Sequence, residues 1–207
     1  MPVIAQSKVL EHQDNILDAA LERFKHYGLS KTTMAEIAFD VNMSTANLYR
    51  YFKNKDEIAL ACSHRCLQDR TTQLENIANN TSLRADEKIS TFFKTILNIT
   101  YQHTQNNPNI NELVTNIADK HQSVIHKKNN AERLIIEKIL KQGIKEYIFE
   151  ITDISEMVIA VHTSLHIFQH PVAVKIHDID TLNQMASATC NLVLNGLYKK
   201  QNNHAFK

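Results

Sequence analysis

Residues 32–60 read TTMAEIAFDVNMSTANLYRYFKNKDEIAL, three short helical segments separated by tight joints. Thr33 with Glu36 three residues on forms a capping box, in which hydroxyl and carboxylate satisfy each other's free amides, and Ile37 and Ala38 then turn inward. Residues 40–43 break this helix, and Ser44 is a natural N-cap for the next one, which the pattern carries to near Tyr51. Asn54 with Glu57 repeats the capping signature and opens a long helix that runs to Asn79. Upstream, Ile16, Leu17, Ala20, Leu21 and Phe24 make one apolar stripe on a helix over about 11–27. Gly28 follows it as the residue that turns left-handed at no steric cost.

The rest of the chain is helical by the same criteria. Only three Gly and three Pro occur in 207 residues, too few turn signals for a sheet protein, and apolar residues recur at helical spacing almost throughout. After the loop at 79–87, residues 85–106 place Ile89, Phe92, Phe93, Ile96 and Ile99 on one face, until Asn107-Pro108 stops the helix. Helices follow at about 109–117 and 120–142, the latter ended by Gly143. An eighth opens at Asp153 with Glu156 and finishes before His170-Pro171, and a ninth spans about 180–199. The expected fold is all-α with about nine helices, divided into short helices with tight joints (1–54) and long helices (55–207).

Two short helices joined by about four residues, the second with a polar nose, form a helix-turn-helix. The first presents free amides and the Thr33 hydroxyl, a setting that favours a phosphate oxygen. The second can lie in a major groove with Ser44, Thr45 and Asn47 against base edges, Asn being able to pair bidentately with adenine. Tyr49, Tyr51 and Lys55 lie where phosphate contacts set register. Net charge over the whole chain is only +1, but residues 23–55 hold six Lys/Arg (23, 25, 31, 50, 53, 55) against Glu36 and Asp40. The plainer alternatives are that Thr33 and Ser44 only cap helices, and that Tyr49 packs its ring on the first helix.

The stretch from Ile16 to Leu60 resembles the N-terminal domain of TetR-family transcriptional regulators. The shared features are A-x-x-x-F-x-x-x-G at 20–28, T-T-x-x-x-I-A at 32–38 and L-Y-R-Y-F-x-N-K-x-x-I at 48–58. The resemblance implies nine or ten helices, a homodimer through the last two helices, a C-terminal effector pocket, and double-stranded DNA as partner. Carried over by position, it makes Thr33, Ser44, Thr45, Asn47, Tyr49, Tyr51 and Lys55 the DNA contacts. Two positions depart from the family pattern. Asn42 stands where the turn usually has Gly, and Asn tolerates the left-handed region better than other side chains. Asn47 stands where Thr is usual, so the preferred half-site should be individual.

The C-terminal half is less explicit. Phe93, Leu97, Tyr101, Leu113, Ile117, His162 and His166 are the candidate walls of an effector pocket, with the alternative that the aliphatic members are ordinary core. His162 and His166 share a helical face, yet neither a carboxylate nor a thiolate lies at a neighbouring ligand position, so no metal and no cofactor is expected. Leu182, Met185, Ala186, Thr189, Val193, Gly196 and Leu197 form a seam suited to a two-fold dimer. No nucleophile–base pair, Gly-rich phosphate loop or carboxylate pair is evident, which argues against an enzyme. Three scattered cysteines, the lack of a signal-peptide pattern and the lack of a membrane-length apolar run lead to an expected cytoplasmic location. The expected function is a repressor on a palindromic operator, released by a small apolar or amphipathic effector. The alternative is a ligand-independent DNA-bound adaptor whose C-terminal half docks another protein.

Overall fold

The computed structural model describes residues 3–107 and 109–199. Its helices are α1 (Val3–Tyr27), α2 (Met34–Asp40), α3 (Thr45–Leu48), α4 (Lys55–Asn79), α5 (Ala85–Asn106), α6 (Ile110–Lys120), α7 (Gln122–Lys145), α8 (Ile154–Ser164), α9 (His166–Gln169), α10 (Pro171–Lys175) and α11 (Ile179–Leu197). They number eleven because the expected eighth helix is interrupted. It stops at Ser164 and resumes for four residues as α9, and beyond its expected end an unanticipated short helix, α10, starts at Pro171, whose missing amide hydrogen is no loss in a first turn. Pro108 lies outside the described residues. No described helix is long and apolar enough to cross a membrane.

By packing, the chain forms two units. The described residues of the first are 3–69, 103–107 and 109–126. Its core joins Ile16, Ala20 and Phe24 of α1 to Ile37 of α2, Leu48 of α3 and Ile58 of α4. Leu113 and Ile117 of α6 are in the same core, which the expected cut between 54 and 55 does not anticipate. The joint is polar as well. The Asn109 side-chain amide donates to the carbonyls of Lys25 (3.3 Å) and His26 (2.7 Å), closing the end of α1, and Glu112 accepts from the Ser30 amide at 2.7 Å. Gly28, at φ +92°, makes this turn, and a Cβ there would stand 2.5 Å from a Glu112 carboxylate oxygen.

The described residues of the second unit are 70–102 and 127–199. Phe92, Phe93, Ile96, Ile136, Ile139, Phe168, Leu182 and Leu197 are among its fully buried apolar side chains. Helix ends here are closed by distant side chains. The Lys88 ammonium donates to the Ala78 carbonyl at the end of α4 (2.7 Å), and Glu146 accepts from the Ala85 amide at the start of α5 (2.9 Å). α7 does not stop at Gly143 as expected but continues to Lys145, and the left-handed residue after it is Tyr147 (φ 58°). Gly143 serves a different purpose: the Phe149 ring lies against its bare Cα. An isolated antiparallel bridge pairs Phe149 with Tyr198, held by Glu150 N–H to Leu197 O and Lys199 N–H to Ile148 O, both 2.9 Å.

Candidate nucleic-acid interface

The first unit builds the expected helix-turn-helix from local bonds. Both halves of the Thr33 capping box are made: the Glu36 amide donates to the Thr33 hydroxyl oxygen (3.3 Å), and the Thr33 amide donates to the Glu36 carboxylate (2.8 Å). The Thr33 hydroxyl donates to that carboxylate too, and these bonds hold the Glu36 carboxyl below its ordinary range. Arg23 of α1 grips Asp40 at the far end of α2 through two donors. That hydrogen bond, with the guanidinium charge, holds the Asp40 carboxyl low despite some burial.

The turn between α2 and α3 takes the left-handed conformation at Asn42, with φ 53°. The Met43 amide then reaches back to the Ala38 carbonyl at 2.9 Å. Ser44 caps α3, its hydroxyl oxygen accepting from the Asn47 amide at 3.2 Å. Leu48 is fully buried and anchors α3, so its nose stays at the surface: Ser44 is exposed, and Thr45 and Asn47 are half-exposed. α3 is shorter than expected, with three tight turn residues after Leu48 instead of further α-helix.

The flanking positions divide differently from expectation. Tyr49 is exposed, whereas Tyr51 is the tyrosine that turns to α1, its ring edge-on to His12 at 6.1 Å. Lys55 is largely committed within the chain, its ammonium donating to the carbonyls of Thr32 (2.7 Å) and Ser30 (3.2 Å). It pins the start of α4 to the loop preceding Thr33. Charge is sorted in the same way. Arg23 is paired with Asp40 and Glu36, and Lys25 with Glu22. Lys31, Arg50 and Lys53 are exposed and make no ion pair among the described residues. Sequence reading counted these three as charge and did not single them out as contacts; their lack of a partner could be seen only once Asp40 and Glu36 were assigned elsewhere.

The expected pocket residues are not all in one place. Phe93, Leu97 and Tyr101 belong to the core of the second unit or pack against it, whereas Leu113 and Ile117 are core of the first. His162 is fully buried and its Nε2 meets Glu132 at 3.1 Å; His166 is exposed, with its ring 5.5 Å from that of His162. A groove of about 370 Å³ runs between α5 and α11, with Ser90, Lys94, Asn183 and Ser187 around a floor of Phe93 and Cys190. Of the expected dimer seam, Leu182, Ala186 and Leu197 are taken up by the unit's own core, and Met185, Thr189 and Val193 are half-buried. Gly196 is exposed as the seam requires, and the outward edge of α11 that it shares also carries Ala188 and Leu192. Among the described residues no group of three His, Cys, Asp or Glu is arranged to hold a metal.

A capped helix-turn-helix followed by a larger helical unit defines a class of DNA-binding regulator. The family model "Bacterial regulatory proteins, tetR family" matches residues 16–62, and "Tetracyclin repressor-like, C-terminal domain" matches residues 85–190, just over half of the chain. Solved structures agree in fold. A transcriptional regulator from Cytophaga hutchinsonii is 24% identical, covers 89% of this chain and 97% of its own, and superposes with a TM-score of 0.71. A TetR/AcrR-family regulator from Thermobifida fusca is 16% identical over 92% of this chain and 100% of its own, with a TM-score of 0.69. Thermus thermophilus FadR, a repressor solved with lauroyl-CoA, is 15% identical over 94% and 100%, with a TM-score of 0.63. The chain belongs to the TetR family and is a transcriptional regulator.

Proposed function

We propose that this regulator is a homodimeric repressor that reads a palindromic operator and is released when a small apolar or amphipathic effector binds its second unit. In this reading residues 1–54 are the DNA-binding domain and 55–207 the effector and dimerisation domain. The observation that carries it is the left-handed Asn42 turn followed by buried Leu48, which leaves Ser44, Thr45 and Asn47 facing out on a unit that also exposes Lys31, Arg50 and Lys53, without an ion pair among the described residues. Asn47 and Thr45 are the proposed base readers. Thr33, Tyr49, Arg50 and Lys53 take phosphates, and Lys55 and Tyr51 act mainly by fixing the helices that carry them. The lauroyl-CoA complex of the Thermus repressor supports an effector of amphipathic kind.

The test is to select genomic fragments that the protein retains and to repeat the selection with Asn47→Ala. The variant is expected to lose about 1–3 kcal/mol at one symmetric pair of base positions while its affinity for other sequence stays unchanged. Uniform weakening at all sites would instead make Asn47 a backbone contact.

The dimer is proposed to form through the outward edge of α11. Ala188, Leu192 and Gly196 recur every four residues, Leu192 is 74% exposed, and a Cβ on Gly196 would meet nothing within 4 Å. Ile159 of α8 is a further exposed apolar side chain of the same unit. Leu192→Glu is expected to give a folded monomer in sedimentation velocity, with operator affinity down at least tenfold because two heads no longer bind together. A retained dimer would move the interface to another face.

A further inference from the structure

The second unit buries more positive charge than it neutralises. Glu132 of α7 has only 1% of its side chain exposed and is the single carboxylate of the cluster. Its two oxygens accept from Arg70 Nε (2.8 Å), His162 Nε2 (3.1 Å) and Gln169 Nε2 (3.0 Å), and Lys128 Nζ stands 3.3 Å away. Because a carboxylate only accepts, His162 Nε2 carries the hydrogen in this bond. Three of these donors crowd Oε2, Oε1 takes only Arg70 Nε, and Lys128 Nζ also donates to the Gln169 side-chain oxygen. Two full cations share the carboxylate, and Arg70 has a further guanidinium nitrogen, Nη2, that is buried and donates to nothing. Arg133 Nε and His162 Nδ1 are buried without a partner as well.

A buried guanidinium hydrogen without an acceptor carries the full cost of its lost hydration, so an arrangement that leaves one is unfavourable unless something else supplies the acceptor. The local field has the matching sign. Burial, followed by the cationic side chains of Lys128 and Arg133 and the neighbouring His162 ring, holds the His166 imidazole below its ordinary value even with Glu132 nearby. Lys128 is pushed down to about 8 by burial, and Glu132 recovers only part of that. His166 is exposed and stands edge-on to His162, at the solvent side of the cluster.

We infer that this cluster receives the anionic head of the effector, a carboxylate or phosphate monoester, with Arg70 Nη2 and Lys128 as the donors. The inference rests on the proposed effector control and names the chemistry of its polar end. Arg70 lies on α4, the helix whose first residue, Lys55, holds the loop before Thr33. A head group bound at Arg70 therefore acts on the helix that begins at the DNA-reading unit.

The test uses the full-length protein at pH 7 and isothermal titration with four-way matched probes: decanoate, decyl phosphate, decanol and decylamine. One of the two anions is expected to bind at least about tenfold more tightly than decanol, the margin of a charge-assisted hydrogen bond, and the tighter anion identifies the head group. Arg70→Lys keeps the pairing with Glu132 but lacks Nη2, and is expected to erase that preference while decanol affinity is unchanged. Lys128→Met, which leaves Glu132 bonded to Arg70 and His162, should reduce the preference in the same direction. Equal binding of decanol or decylamine, an undiminished preference in Arg70→Lys, or no binding of either anion would overturn the assignment. Operator release is scored separately. An anion that binds through Arg70 without loosening DNA removes effector control and leaves the anion site. Release of DNA by a neutral ligand, with no anion preference, removes the site and leaves effector control.

Discussion

Glu132→Gln is expected to cost about 3–5 kcal/mol of folding stability, the usual effect of removing one partner from a buried charge set. The glutamine fits the space, so the loss is electrostatic. Arg70 and Lys128 would then face each other with no counter-charge, in a site where only 10% of Arg70 and 14% of Lys128 is exposed. The pH dependence gives a second reading of the same prediction. Burial alone would raise the Glu132 carboxyl, but the His162 hydrogen bond and the charges of Arg70 and Lys128 outweigh it and hold it at about 2. A depressed carboxylate contributes stability that is complete above the unfolded value of 4.5 and is lost as pH falls towards about 2. Lys128 works in the opposite region. Its folded value of about 8 lies below the unfolded 10.5, so the unfolded chain holds the extra proton and stability rises as pH climbs between them. Urea denaturation of wild type should therefore show both slopes, and Glu132→Gln should lose the acid one. An unchanged midpoint in the variant would mean that the cluster is solvated and not a closed ion set.

Which features were legible follows from how far apart their partners lie in sequence. The Thr33 capping box, the Asn54 side chain that caps the Glu57 amide, the Gly28 turn and the tolerance of Asn42 for a left-handed turn all depend on residues within four positions, and residues 28–58 can be read directly. Helix phase was legible for α5, where Ile89, Phe92, Phe93 and Ile96 are the buried face. For α11 it leaves two uses open, because an apolar face that fills the chain's own core looks the same in sequence as one that meets a second copy. Leu182 and Ala186 are of the first kind. Leu113 and Ile117 were assigned by chain position to the ligand-binding half, yet the Asn109 and Glu112 bonds tie their helix to α1, some 80 residues earlier. The Arg70–Glu132 pair, 62 residues apart, left no local mark at all. Periodicity also reports which face is buried without reporting chain breaks, so the interruption at Leu165 passed unseen inside a continuous apolar pattern.

Gly143→Ala distinguishes two uses of one glycine by opposite signs. Were Gly143 simply a glycine within α7, alanine would add about 1 kcal/mol through helix propensity. In this fold the added Cβ would lie 2.0 Å from Cδ2 and 2.5 Å from Cε2 of Phe149. The ring has little room to retreat. Phe149 is 4% exposed, tilted against Tyr198 at 6.1 Å between ring centres, and fixed by the bridge that joins the exit of α7 to the end of α11. Overpacking of this kind costs about 1–3 kcal/mol and occasionally more, and a clash at bond-like distance belongs at the upper end, so it outweighs the propensity gain. The expected result is a net loss of about 2 kcal/mol, read as a fall in Tm of roughly 4–8 °C for a chain of this size. The double variant Gly143→Ala with Phe149→Ala removes all three colliding ring atoms, Cδ2, Cε2 and Cγ. It should be more stable than the sum of the single changes by about 1 kcal/mol or more, a coupling that only direct contact produces. A Gly143→Ala protein that melts above wild type, with additive behaviour in the double variant, would separate Phe149 from α7 and undo the packing described for this end of the second unit.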